Sequence, residues 1–139
     1  MADQAPARRW FGRASGEAGG ATLVEFLAAS LGAIAALLAV GQMAIWVWAR
    51  NVAVTAAHEG ARVAAESGRQ LDEGSARAEA LLRDGLGASA SAFSVEIAQE
   101  GSVVGLEARG DAPRIVPFLP SFPIAARATA FDEDEVFDP

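Results

Sequence analysis

The chain has no cysteine, no tyrosine and no lysine, and its only histidine is His58. Without cysteine there is no disulfide framework and no thiolate metal site. One histidine excludes metal sites built on paired histidines, and no EF-hand-like loop is present, which leaves only carboxylates to hold a cation. A catalytic triad needs a base. His58 stands beside Glu59 on an alanine-rich helical stretch, with no loop serine directed at it, and reads as an ordinary helix-surface histidine. The residues therefore lead to no enzyme activity and no cofactor. Positive charge is also scarce: eleven arginines face eighteen carboxylates, a formal net charge of −7. Residues 50–139 hold fifteen of those carboxylates and eight of the arginines. A region so acidic is a poor ligand for nucleic acid, because phosphate binding needs cations.

Formal charge is absent altogether from Phe26 to Ala49, a run of 24 residues interrupted by little more than Ser30 and Gln42. As a helix rising about 1.5 Å per residue it would be roughly 36 Å long, enough to cross a hydrocarbon core of about 30 Å with some tilt. A cleaved secretory signal is the competing reading, but its apolar region is only about 7–15 residues long. Trp46 and Trp48 close the run, and tryptophan suits the boundary between acyl chains and headgroups. The reading is a single-pass span with membrane lipid as its first partner. Arg8, Arg9 and Arg13 precede it and Arg50 follows it. That asymmetry places the amino terminus in the cytoplasm and the carboxy-terminal region outside the cytoplasmic membrane.

Glu25 stands at the mouth of the run. A carboxylate at that depth either has a positive partner or lies just outside the bilayer and snorkels, and position alone does not separate the two. Residues 1–20 read as a basic, flexible leader. No proline occurs from Ala21 to Ser67, so one long helix over 21–67 is expected, about 70 Å long. Small residues recur along it: Ala28, Gly32 and Ala36 inside the span, then Ala53, Ala57 and Ala61, with Ala56, Gly60 and Ala64 in a parallel row. Such rows let helix backbones approach closely, although abundant alanine alone would produce them too.

A small domain over 68–131 is expected to follow. A second helix from Asp72 to Gly85 carries the stripe Ala78, Leu81, Leu82 and Leu86. The period then changes to two. Phe93, Val95 and Ile97 alternate with polar or small residues, Glu100-Gly101-Ser102 makes the turn, and Val104, Leu106 and Ala108 alternate back as an antiparallel hairpin. Four of the six prolines lie between Pro113 and Pro123, which forbids a central strand there. Phe118, Leu119 and Phe122 in that segment either close the core or form a contact surface. A third strand, Ile124 to Phe131, and an acidic tail over 132–139 complete the reading. The fold class is an α+β membrane protein: a transmembrane helix continuing into a small exported domain with one further helix and a short antiparallel sheet.

Gly20, Ala21 and Glu25 together resemble the processing motif of type IV pilin-like proteins. There a prepilin peptidase cuts after a glycine and leaves a glutamate fifth from the new amino terminus, ahead of a long apolar helix. A cut between Gly20 and Ala21 would make Glu25 that fifth residue. More narrowly, residues 16–66 resemble the TadE-like family of tight-adherence (Tad, or Flp) pilus assembly proteins. The resemblance rests on the basic leader with glycine, on Val24-Glu25-Phe26, and on Ala56-Ala57-His58-Glu59-Gly60-Ala61-Arg62 after the span. It implies a minor pilin or pseudopilin of a surface fibre or secretion apparatus in the cell envelope, with pilin-like or pilus-assembly proteins as partners. It further implies that Glu25 meets the α-amine of a neighbouring subunit. The alternative is an uncleaved membrane-anchored scaffold or binding subunit of an envelope complex, with the proline-rich segment as its contact surface.

Overall fold

The structure is a computed structural model and describes residues 17–66, 70–117 and 119–132, with side chains from residue 22 onward. Two compact units divide the chain, residues 1–38 and 39–139. Helix α1, Glu17–Ala65, has 49 residues and runs through the boundary between them. It begins four residues earlier than the sequence predicts. A glutamate at its first position suits the positive end of the helix dipole. Within the first unit the described part of α1 is exposed along its length, with only Ser30 half-buried.

The second unit is α+β. Helix α2, Leu71–Leu86, carries Asp72 and Glu73 in its first turn and Arg83 in its last, an arrangement that opposes the helix dipole at both ends. Its buried residues are Gly74, Ala78, Leu82 and Leu86, a strict interval of four that makes one stripe. Gly87 ends it at φ +58°, where its N–H donates to the Arg83 carbonyl. A 3-10 helix, Gly87–Ala92, which the sequence pattern did not reveal, joins α2 to the sheet.

Three antiparallel strands follow in the order β1-β2-β3: β1 Phe93–Glu100, β2 Val103–Asp111 and β3 Pro123–Phe131. The β1–β2 connection has two residues, and Gly101 takes the first of them at φ +58°, a conformation that suits glycine in a tight hairpin. Pro123 opens β3 opposite Asp111, at a strand's first position, where proline removes little from the ladder. Asp132 N–H closes the far end by donating to the Ser102 carbonyl at 2.8 Å.

Val104, Leu106 and Ala108 of β2 and Ile124, Ala126 and Ala128 of β3 form the buried sheet face. All but Val104 cluster with Ala78, Leu82 and Leu86 of α2 and with Ala49, Ala53, Ala56, Ala57 and Ala61 of α1, and Val104 clusters with Ala64 and Ala65 of α1. Among the described residues, only Leu106 and Val104 are large and fully buried. With so little side-chain volume between them, the layers must approach closely. Gly60 shows how closely: a Cβ built there would lie 2.8 Å from the Gly74 carbonyl oxygen and 2.6 Å from Leu106 Cδ1.

Candidate functional sites on the long helix

In the first unit, α1 offers an apolar surface and one carboxylate. Residues 22–65 contain a helix long and apolar enough to cross a membrane by length and composition, and none of its most apolar window is buried. Leu23, Phe26, Leu31 and Leu37 are each more than half exposed. Glu25, Ala28, Gly32 and Ala36 follow one another at intervals of three or four residues, which aligns them on one face of a helix. All four are exposed, and no heavy atom outside the helix's local backbone lies within 4 Å of a Cβ built on Gly32. Gly20 and Ala21 belong to α1, but their side chains fall outside the described residues.

Beyond this, the small-residue pattern has a different use. Ala53, Ala57 and Ala61 are 0%, 0% and 1% exposed, and Gly60 is buried with them. They face α2 and the sheet of their own chain. The stretch Ala56–Arg62 that carries the family resemblance therefore has a packing role within the domain. On its outer side His58 is exposed, and Arg62 bridges Glu59 at 3.0 Å and also Glu66. The hydrogen bond that Arg62 donates to Glu59, followed by the charges of both carboxylates, raises the Arg62 pKa. This is a solvated ion-pair chain on a helix surface, where water screens the charges and such pairs add little to stability.

Gln42 is the polar residue whose role the sequence concealed. It is 4% exposed, the buried polar residue of the described core. Its Nε2 donates to the Pro113 carbonyl at 3.0 Å, and its Oε1 accepts from the Ile115 N–H at 3.0 Å. One amide side chain thus satisfies a donor and an acceptor of a backbone that makes no sheet ladder there. One turn further on, Trp46 Nε1 donates to the Pro123 carbonyl at 3.5 Å, and the Arg50 guanidinium lies 5.9 Å from the Trp46 ring centroid. Ile115 Cδ1 would lie 3.2 Å from a Cβ on Gly41, so a glycine at this turn admits the loop.

The described residues between Ala112 and Phe122 accordingly form a strap along α1. Its ends are joined by Ala112 N–H donating to the Phe122 carbonyl at 3.0 Å. Arg114 donates to the Leu119 carbonyl at 3.3 Å and holds the bend inside. Of the three residues singled out in the sequence, Leu119 is half-buried, Phe122 is 38% exposed, and Phe118 lies outside the described residues. Ile115, at 44% exposure, adds to the outward apolar surface. The strap both closes the base of the domain and leaves apolar side chains in the open.

On the outer sheet face, Glu107 accepts from Arg109 at 2.6 Å and from Arg127 at 2.9 Å. Hydrogen bonds from Arg109 and then Arg127 hold its carboxyl down at about 2. The strand register sets Glu96, Glu107 and Arg127 abreast. Among the described residues no group of three or more histidine, cysteine or acidic side chains is placed to hold a metal ion. Comparison with protein-family models, with curated proteins and with solved structures finds no match.

Proposed function

We propose that this is a single-pass protein of the cytoplasmic membrane, cytoplasmic at its amino terminus, with its α+β domain outside. We propose further that it serves Tad (Flp) pilus biogenesis or the associated secretion apparatus as a minor pilin-like or pseudopilin-like subunit. The observation that carries the membrane reading is the bare apolar surface of α1. Nine large apolar side chains between Leu23 and Val40 are 39–73% exposed. Full burial of one such side chain is worth about 1.5–3 kcal/mol, so this stretch forgoes on the order of 10 kcal/mol in water. A lipid bilayer recovers that energy without any further protein.

Glu25 narrows the reading. In hydrocarbon a carboxylate is costly alone, and it shares a helix face with Ala28, Gly32 and Ala36, which would let another helix backbone approach. Cleavage between Gly20 and Ala21 would supply an α-amine, and the pairing of two charges would offset the desolvation of each. Glu25 would then set the register between neighbouring subunits. The proposed role is one of assembly, without catalysis.

Intact mass and amino-terminal sequencing of the protein from native membranes test this directly. A terminus at Ala21 is the expected result. A chain that retains residues 1–20 would favour the second reading, an uncleaved membrane-anchored scaffold whose strap at Ile115 and Phe122 is the contact surface.

A further inference from the structure

From the strap held by Gln42, we infer that the base of the domain is seated in the headgroup layer of a phospholipid bilayer, and that the hydrocarbon span is Thr22–Gly41. The inference rests on the membrane reading above and adds its depth and its lipid-contacting surface. The strap settles where hydrocarbon has to end. Gln42 is occupied by backbone groups of Pro113 and Ile115, so this side of α1 is covered by irregular protein from Gly41 onward. Irregular backbone facing lipid is not tolerated in the hydrocarbon, because its unpaired N–H and C=O groups find no water there. Pro113, Arg114 and Ile115 must therefore lie at or above the acyl-chain boundary. The twenty helical residues from Thr22 to Gly41 then supply about 30 Å of rise, the thickness of the hydrocarbon core.

The turns just beyond are built for the next layer. Gln42 to Trp48 covers about 10 Å, while the headgroup region is about 5–7 Å deep on each side. Apolar side chains point outward here on both sides of the helix: Ile115 and Phe122 from the strap, and Met43, Val47 and Trp48 from α1, at 38–61% exposure. Charge agrees with the assignment. Residues 39–51 and 112–123 hold two arginines, Arg50 and Arg114, and no carboxylate. The remainder of residues 50–139 holds fifteen carboxylates against six arginines. An apolar rim with cations and no anions, on a domain acidic elsewhere, is complementary to acyl chains below lipid phosphates. Glu25 falls one turn inside the hydrocarbon under this assignment, deeper than a span of 26–49 would put it, which strengthens its need for a partner.

The native chain has no cysteine, so single-cysteine variants of the full-length protein report cleanly. Ile115→Cys, Val47→Cys, Leu31→Cys and Ala76→Cys would each be labelled with an environment-sensitive fluorophore. The protein would be reconstituted in phosphatidylcholine vesicles with a minority of phosphatidylglycerol, and quenched by lipids brominated at shallow or deep acyl positions. Labels at Ile115 and Val47 should be blue-shifted and lose most of their emission to the shallow quencher. Leu31 should respond to the deep quencher, and Ala76 on the exposed face of α2 to neither. If Leu31 is quenched while Ile115 and Val47 behave as Ala76 does, the seating is wrong and the span stands. If Leu31 also reports water, the membrane reading fails and the seating fails with it. Labels at Ile115 and Val47 that are dry yet indifferent to both quenchers would assign the collar to a protein partner and overturn the proposal.

Discussion

Replacing Gly60 by alanine should destabilise the domain, although alanine is the better helix former. In an exposed helix the exchange gains up to about 1 kcal/mol. At Gly60 the added methyl would meet Leu106 Cδ1 at 2.6 Å, the Gly74 carbonyl oxygen at 2.8 Å and Ala78 Cβ at 2.9 Å. Leu106 can turn away only within a filled core. The other two contacts belong to α2 and yield only if that helix moves. Overpacking of this kind costs about 1–3 kcal/mol, and more where backbone must shift. The propensity gain offsets part of it, which leaves a net loss of about 1–2 kcal/mol. For a domain of this size that lowers the unfolding midpoint by roughly 5–15 °C. Gly74→Ala should behave alike, since its methyl would lie 2.5 Å from both Ala64 Cβ and the Gly60 carbonyl oxygen. The double variant should cost less than the sum, because one separation of α1 from α2 relieves both clashes. Thermal unfolding of the full chain in detergent, followed by near-ultraviolet circular dichroism, reads these effects. Gly32→Ala is the comparison, because nothing lies within 4 Å of its Cβ position, and its domain midpoint should not move. A Gly60→Ala protein as stable as the parent would refute the close approach of the two helices.

Three other outcomes follow from separate contacts. Gln42→Leu removes both strap hydrogen bonds; at about 1 kcal/mol for each bond, the Ile115 amide should exchange hydrogen roughly thirtyfold faster, and an unchanged rate would show that Gln42 does not hold the strap. Glu107 has its pKa lowered from 4.5 to about 2 by Arg109 and Arg127. A depressed folded-state pKa gives stability that is complete above the unfolded value and is lost as pH falls through the folded one, so the urea midpoint should drop as pH falls from about 4.5 towards 2. Glu107→Gln should flatten that dependence, and a variant with the parent's slope would assign the effect to other carboxylates. Glu25→Ala should insert into membranes as the parent does but lose co-purification with pilus-assembly partners, and normal recovery of those partners would sink the charge-pairing idea.

Most of the elements of the domain could be read from local pattern. The hairpin follows from strict alternation around Gly101, and β3 from the alternation that starts at Ile124, because strand period and turn chemistry are properties of adjacent residues. Helix α2 was legible for the same reason, its stripe and terminal charges lying within sixteen residues. The 3-10 helix over Gly87–Ala92 was not, since GASASA contains no large apolar residue to mark a period. The strap could be excluded from the sheet by its prolines, but its seat on α1 depends on Gln42, some seventy residues away in the chain. In sequence Gln42 and Ser30 are equivalent interruptions of one apolar run. Only the fold separates them, because one lies beneath the strap and the other does not.

The small-residue rows make the same point about function. Ala28, Gly32 and Ala36 recur at the interval that Ala53, Ala57 and Ala61 use, and sequence alone gives both rows one meaning. The structure gives them opposite surroundings: the second row is covered by α2 and the sheet, and the first is bare. The covered row is explained by the domain it holds together and needs no partner. The bare row has no such explanation, and it shares its face with Glu25, the carboxylate that hydrocarbon would least tolerate alone. On the proposed pilin-like reading the assembly contact would therefore lie between Thr22 and Gly41, whereas the scaffold reading would place it on the strap at Ile115 and Phe122. Gly60 itself is occupied inside the protein, and a variant at that residue that disrupts assembly would do so by unfolding the domain rather than by removing a contact with another subunit.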